Sequence, residues 1–106
     1  MIAVMFEVML DRQAGNRYFD LAAALKDELE AVDGFLSVER FQSLTTEDKY
    51  LSLSFWRDSE AVEAWYRRPN HRAAQAEGRT SVFRDYRIRV AQVIRDYDLA
   101  AGRPQE

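Results

Sequence analysis

The sequence predicts one α+β domain with the element order β-α-β-β-α-β. Apolar residues alternate through residues 1–10 and again through residues 50–56, as they do in strands. Residues 18–32 place apolar side chains three and four positions apart, which is typical of an amphipathic helix. With 106 residues, 47% of them hydrophobic, the chain can build one core and is too short for two. We therefore predict a single domain over residues 1–98 and a polar tail over residues 99–106.

The first strand, residues 1–10, is apolar on both of its faces. One face carries Ile2, Val4, Phe6 and Val8, and the other carries Ala3, Met5, Glu7 and Met9. A strand of this kind belongs in the middle of a sheet that is covered on both sides.

A helix and a hairpin follow the first strand. The helix over residues 18–32 should end at Gly34, since glycine readily adopts the left-handed conformation that caps a helix. We expect a second strand over residues 35–44, a polar connection over residues 45–49 and a third strand over residues 50–56.

The second helix is predicted to be broken in two. Asp58 is suited to cap its first turn, Pro69 interrupts it, and it should resume over residues 70–77 until Gly78 ends it. A fourth strand over residues 86–94 completes the order. This order is that of the ferredoxin-like fold, in which the first and third strands are central.

Charge is distributed unevenly along the chain. The net charge is −3, yet the segment from Arg67 to Arg95 holds eight arginines and two acidic residues, so it carries +6 and the remainder −9. Arginine is suited to fixed, bidentate pairing with carboxylates. We expect these arginines to pair with the acidic first half, within the subunit or across a dimer. The alternative is that some of them line a site for an anionic or phenolate-like ligand.

Several classes of protein are disfavoured by composition and motifs. There is no cysteine, phosphate loop, dinucleotide fingerprint or cluster of metal ligands, so we predict neither a cofactor nor a metal. No apolar run approaches the roughly 18 residues that would cross a bilayer, and we expect a cytoplasmic protein. RNA-recognition modules share the element order, but residues 49–55 lack their basic-glycine-aromatic signature, and we predict no nucleic-acid binding.

Several segments together resemble the antibiotic biosynthesis monooxygenase (ABM) family, and the resemblance spans nearly the whole chain. The segments are residues 33–41 (DGFLSVERF), 51–56 (LSLSFW), 61–65 (AVEAW) and 71–75 (HRAAQ). The resemblance implies a dimeric α+β barrel. It leaves the reaction open, because the family includes cofactor-free quinone-forming oxygenases, haem-degrading oxygenases and proteins without an assigned substrate.

The haem-degrading branch fits less well than the others. Its members resemble one another in an asparagine on the first strand, a tryptophan on the second helix and a haem-ligating histidine ten residues later. Here Trp65 matches the tryptophan, but Glu7 occupies the asparagine position and Gln75 the histidine position. Glutamine is a poor iron ligand, so we consider haem degradation a minor alternative.

His71 is the candidate catalytic residue. It is the only histidine, and its unperturbed pKa near neutrality suits it to take a proton from a phenolic substrate. The alternative is that it is a helix-start residue or a solvent-exposed residue. Trp65 and Tyr66 are candidates to stack on a planar substrate, although Trp65 also suits plain core packing. Trp56 suits a core or interface position better than a site.

Glu7, Ser52, Ser54 and Arg72 are the remaining candidates for substrate binding. A carboxylate in a central strand is costly unless it is paired, so Glu7 either contacts Arg87 or Arg89 or lines a polar cavity. Bulk predicts that Ile2, Val4, Phe6 and Val8 face the helices, whereas the family resemblance implies that Glu7 does. We favour the resemblance and expect Glu7 in the pocket. The two serines leave room for a cavity, but they also suit a solvated sheet face.

Two functions from different classes remain. The first is a small-molecule monooxygenase, cofactor-free, acting on an aromatic or quinone-like substrate, as the resemblance implies. The second is a non-catalytic dimeric ligand-binding or stress-response protein on the same scaffold. In both cases the apolar sheet face that the helices leave uncovered predicts a homodimer packed sheet against sheet.

Overall fold

A four-stranded antiparallel sheet with helices on one face forms the core of the computed structural model, which describes residues 1–103. The elements in order are β1 (Ile2–Leu10), a short 3-10 turn (Arg12–Ala14), α1 (Arg17–Glu30), β2 (Phe35–Gln42), β3 (Lys49–Trp56), α2 (Ser59–Tyr66), α3 (Pro69–Glu77), a π-helical turn (Gly78–Val82) and β4 (Phe83–Gln92). The predicted order β-α-β-β-α-β is confirmed, with the second helix in two pieces.

The strands lie in the order β2-β3-β1-β4, so β1 and β3 are central as predicted. All neighbouring pairs are antiparallel, and Phe6 of β1 lies opposite Ser52 of β3 and Ile88 of β4. Because side chains alternate along a strand, this register assigns every residue of the sheet to one of two faces.

Of two predicted helix boundaries, the start of α2 is confirmed and the end of α1 is not, because α1 ends at Glu30 with Ala31 as its C-cap. Gly34 lies in the turn before β2 instead. Its φ is +92°, and a Cβ there would lie 2.7 Å from the Cβ of Ala61, so glycine serves both the backbone and the close approach of α2. At the start of α2, a carboxylate oxygen of Asp58 accepts a hydrogen bond from the backbone N–H of Ala61 at 2.9 Å.

The predicted end of α3 is confirmed, since the helix ends at Glu77 with Gly78 as its C-cap, but the left-handed conformation typical of a glycine cap is absent. Gly78 has helical torsion angles, φ −55° and ψ −48°, and the chain continues through a wider π-helical turn to Val82. β4 then begins at Phe83 and ends at Gln92, so it starts earlier than predicted. The reason for glycine here is space, because its missing side chain makes room for the ring of Phe83.

The helices cover the face of β1 that carries Val4 and Val8. One buried cluster joins Val4 to Trp56 and Trp65, and a second joins Val8 to Tyr18 and Val82. Trp56 is only 2% exposed, so it is a core residue. The opposite face, which we call the open face, carries Met5, Glu7, Leu51, Leu53, Phe55 and Arg89 by the same register.

Part of the arginine-rich segment pairs with the acidic first half, as predicted. Arg68 lies 3.4 Å from the carboxylate of Glu28 on α1, and Arg89 lies 3.1 Å from that of Glu7. In a further pair the basic residue comes from the first half of the chain, since Arg17 of α1 pairs with Glu77 of α3. The pairs made by Arg68 and Arg17 tie α3 to α1. Within residues 1–103, no helix is long and apolar enough to cross a membrane.

Candidate functional site

A cavity of about 140 Å³ lies between the sheet and the three helices. Phe6, Ser52 and Ser54 form its floor, since their positions in the register face the helices. Leu21 and Leu25 of α1 form one wall. The remaining wall is aromatic and comes from α2 and α3, where it consists of Trp65, Tyr66 and His71. The helices and the sheet therefore enclose a mostly apolar space with few polar groups.

The two serines on β3 behave as predicted for cavity-lining residues, although they differ in their bonding. The indole N–H of Trp56 donates a hydrogen bond to Oγ of Ser54 at 2.9 Å. Ser52 lies two residues before Ser54, opposite Phe6 in the cavity floor. Its hydroxyl has no side-chain partner within residues 1–103. Ser52 is thus the serine that can bond to a ligand.

His71 lies in the first turn of α3, so it is a helix-start residue, but it is only 9% exposed and is not a solvent-exposed one. Pro69 starts α3 at a new angle and thereby directs the imidazole inward. The ring lies 4.7 Å from that of Trp65 and stacks on that of Tyr66 at 5.3 Å, measured between centroids. Its Nδ1 is buried with no hydrogen-bond partner within residues 1–103.

Burial sets the charge of the site. Desolvation lowers the pKa of His71 below its ordinary value of 6.5, and the Tyr66 backbone and the Glu28 carboxylate oppose only part of that shift. Burial also raises the pKa of the Tyr66 hydroxyl. At neutral pH the imidazole is therefore a neutral acceptor and the phenol a neutral donor.

Residues that the sequence analysis did not select also line the cavity. Arg40 on β2 and Ile88 on β4 lie at its two sides, and Phe83 and Gln75 complete its walls. Gln75 was considered only as a misfit for an iron ligand. The alternation of side chains places Arg40 on the same face of the sheet as Ser52. This would have made Arg40 a candidate site residue only once that face was known to contact the helices.

Arg72 does not line the cavity. It lies beside it, on an open groove of α3 and β4 that also includes Arg79, Tyr86 and Ile88. Arg72 is exposed, and it directly follows the buried His71 on α3. The groove meets the cavity at His71, which lines both.

The expectation that Glu7 lines the pocket is wrong. Glu7 lies on the open face, where Nη1 of Arg89 donates a hydrogen bond to its carboxylate at 3.1 Å. The alternation of side chains forces this outcome, since Phe6 and Val8 already face the helices and the more apolar face is the one they bury. The alternative of pairing with an arginine of β4 is confirmed.

The site combines a neutral buried base, aromatic walls and a few hydrogen-bonding groups. Such an arrangement can bind a small, largely apolar molecule, withdraw a proton from it and keep bulk water away. Within residues 1–103, no three histidine or acidic side chains lie close enough to hold a metal ion.

Comparison with known proteins shows one family. The model of the antibiotic biosynthesis monooxygenase family matches residues 1–77. The jasmonate monooxygenase ABM of Pyricularia oryzae is 40% identical over 93 residues, which are 88% of this chain and 43% of that protein. The uncharacterized protein YqjZ of Bacillus subtilis is 32% identical over 62 residues, 58% of this chain and 53% of that protein. The chain thus spans about half the length of these relatives.

Solved structures show the same fold at lower identity. The structure of Rv0793 from Mycobacterium tuberculosis matches with a TM-score of 0.80 and 18% identity, covering 92% of this chain and 98% of that one. A Deinococcus radiodurans protein named after the same monooxygenase family matches with a TM-score of 0.82 and 13% identity, covering 93% and 98%.

Proposed function

Because the chain belongs to the antibiotic biosynthesis monooxygenase family, we propose that it is a monooxygenase acting on a small aromatic or quinone-like molecule in the cavity beside His71. The observation that carries this proposal is the buried imidazole with an unpaired Nδ1 at an apolar cavity. A base with that placement can form an electron-rich anion out of contact with water. No cofactor takes part in the proposed reaction.

His71 acts first, by taking an acidic proton from the activated ring methylene of a phenolic, anthrone-like substrate. The resulting anion passes electrons to O₂, and a carbon–oxygen bond forms at that carbon. The O–O bond then breaks. The methylene loses four electrons and becomes a carbonyl, one oxygen atom stays in it, and the other leaves as water. The lowered pKa of His71 keeps the imidazole unprotonated and ready at neutral pH.

The other site residues hold the anion and exclude water. Trp65 and Tyr66 flank the imidazole at 4.7 and 5.3 Å between ring centroids, so they offer flat surfaces to a planar substrate. The Tyr66 and Ser52 hydroxyls can donate to the developing oxyanion, which is the stabilisation that a dry site makes strongest. Ser54 supports the floor through its bond to Trp56.

The relative named a jasmonate monooxygenase supports oxygen insertion into a small molecule by this scaffold. Besides aromatic molecules, jasmonate itself should be tested as a substrate, because the cavity is lined mostly by aliphatic and aromatic side chains. The chain corresponds to 43% of that relative, so the activity of the whole relative is a separate question from that of this domain.

Oxygen uptake tests the proposal. An anthrone and jasmonic acid should be supplied to the purified protein in an oxygen electrode, with products identified by mass spectrometry in ¹⁸O₂. We expect one labelled oxygen in the product and a loss of turnover of about 10²- to 10⁴-fold in His71→Ala. Arg67→Ala, at an exposed position, is the matched control.

The alternative function is a dimeric binding protein without turnover. In that case the wild type would bind these ligands, no oxygen would be consumed, and His71→Ala would leave the affinity unchanged. A shifted Soret band on titration with haem would instead revive the haem-degrading alternative. It is disfavoured because Gln75 stands at the position of the ligating histidine.

We further propose that two copies pack their open faces together. Leu51, Leu53 and Phe55 are apolar residues on this face and stay partly exposed in the single chain. A symmetric pair would remove this area from water, as a stable soluble protein requires. Sedimentation of the wild type should give a dimer, and Leu53→Glu should give a folded monomer. A monomeric wild type at micromolar concentration would contradict this proposal.

A further inference from the structure

The cavity crosses the whole width of the sheet. Arg40 of β2, Ser52 of β3, Phe6 of β1 and Ile88 of β4 are neighbours in one continuous row of paired residues. All four line the cavity. Because neighbouring strands lie about 4.8 Å apart, the two ends of this row are about 14 Å apart. The site therefore suits an elongated ligand as well as a compact one.

The end at β2 carries a positive charge. The guanidinium carbon of Arg40 lies 5.8 Å from the centre of the Tyr18 ring, which holds the side chain over a buried aromatic face. Arg40 has no ion pair within residues 1–103, and it is the one cationic side chain among the described residues that line the cavity. Its partial exposure leaves the guanidinium at the mouth of the cavity.

The end at β4 carries the base. His71 shares the adjoining groove with Tyr86 and Ile88, and no residue of β2 or β3 lines that groove. Arg40 lines the cavity but not this groove, so the imidazole lies nearer to β4 than the guanidinium does. Between them the lining is apolar, with Leu21, Leu25 and Phe6 as examples.

We propose that the natural substrate is a slender amphiphilic carboxylic acid, bound with its carboxylate on Arg40 and its reacting group at His71. This inference rests on the proposed function, because it assigns the second end of the same substrate. A single planar guanidinium suits a carboxylate, which it can bind through two parallel hydrogen bonds. A phosphate monoester carries more charge than this one cation can balance, and no second cation lines the cavity within residues 1–103.

The carboxylate sets the direction in which the ligand binds. An apolar ligand without a charged group could enter the cavity either way round, and half of its poses would keep its reacting group away from His71. A carboxylate at the wet, β2 end stays partly solvated, so its desolvation cost is small. The ring at the other end is then delivered to the buried imidazole.

A matched pair of ligands tests this inference. The acid is p-hydroxyphenylhexanoate, with a phenol at one end and a carboxylate at the other, and its partner is the uncharged methyl ester. Affinities come from quenching of tryptophan fluorescence, since Trp65 lines the cavity, and are checked by calorimetry. Hydrogen bonds to charged groups correspond to about tenfold or more in affinity, and the exposure of Arg40 favours the lower figure.

We expect the wild type to bind the acid about tenfold more tightly than the ester. Arg40→Gln should remove this preference while the affinity for the ester stays unchanged. Arg67→Gln, at an exposed position that lines neither the cavity nor the groove, is the matched control and should behave like the wild type. Circular dichroism and the affinity for the ester show whether each variant is folded.

The outcomes separate this inference from the proposed function. A preference for the acid that disappears in Arg40→Gln supports the inference even if no oxygen is consumed, and in that case only the monooxygenase proposal fails. Equal affinities for acid and ester in the wild type overturn the inference, whatever the turnover. A preference that survives in Arg40→Gln also overturns it, because the carboxylate then binds elsewhere.

Discussion

Replacing Gly78 by alanine should both destabilise the protein and narrow the cavity. Gly78 has ordinary helical torsion angles, so the backbone would accept alanine. The added Cβ, however, would lie 2.3 Å from Cε2 and 2.7 Å from Cζ of Phe83. Phe83 lines the cavity and packs edge-on against Phe6 and Tyr18, at 5.5 and 5.9 Å between ring centroids.

The magnitude follows from this geometry. Carbon atoms are comfortable about 3.5–4.0 Å apart, so the Phe83 ring must withdraw by about 1.2 Å or more, into neighbours that are already in contact. Overpacking of this kind typically costs about 1–3 kcal/mol. Alanine in a helical conformation offsets about 0.5–1 kcal/mol of that cost relative to glycine. We expect a net loss of about 1–2 kcal/mol, and each kcal/mol lowers the Tm of a domain this size by about 4–8 °C.

Thermal and urea unfolding of the wild type and Gly78→Ala measure the effect, and binding of p-hydroxyphenylhexanoate reports on the cavity. Ala73→Gly, at an exposed position of α3, isolates the contribution of helix propensity. Adding Phe83→Leu to Gly78→Ala should cost less than the sum of the two single changes, because they relieve one contact. An unfolding midpoint for Gly78→Ala equal to or above that of the wild type would refute the reasoning.

Three further predictions concern titration and the open face. Burial lowers the pKa of His71 below 6.5, so as the pH falls the unfolded chain is protonated at this histidine before the folded chain is. The free energy of unfolding should therefore decrease below about pH 6.5. His71→Gln should flatten that part of a urea-midpoint profile; an unchanged slope would contradict the assignment. The hydrogen bond from the N–H of Ala61 lowers the pKa of Asp58. The stability that this bond contributes is therefore present above the ordinary Asp58 pKa of 3.8 and is lost on acidification. Asp58→Ala should lower Tm and Asp58→Asn should largely restore it; equal Tm values for both variants would count against the cap. Glu7→Gln should leave the affinity for the acid and the ester unchanged. A weaker complex would show that Glu7 does contribute to ligand binding.

Most of the fold could be predicted because its signals are local. Alternation located the strands, Asp58 marked the start of α2, and Pro69 marked the break between α2 and α3. Gly34 marked the turn that follows α1. Gly78 marked the end of α3 correctly, because α3 ends at Glu77. Its contact with Phe83 is a second reason for glycine at this position, and only the tertiary structure reveals it.

The site was harder to predict because a cavity is a property of packing between elements. His71, Trp65 and the two serines were selected by residue type, and they line one space because three separate elements meet there. Arg40 was missed because nothing local distinguishes it from other exposed arginines. Its place in the cavity depends on the pairing of β2 with β3, which brings Arg40 into the same row as Ser52.

The position of Glu7 shows which kind of evidence decides between the faces of a sheet. Shifting β1 by one residue would bring Glu7 into the cavity, but it would also turn Phe6 and Val8 toward the open face. Val8 is completely buried in the core cluster with Tyr18, so that exchange would lose a large apolar contact to bury a charge. The burial of apolar side chains therefore outweighs the analogy with relatives that carry asparagine at this position. The same argument leaves Arg40 as the one charged group that this face can present to a ligand, since its position at the edge strand lets the guanidinium reach water.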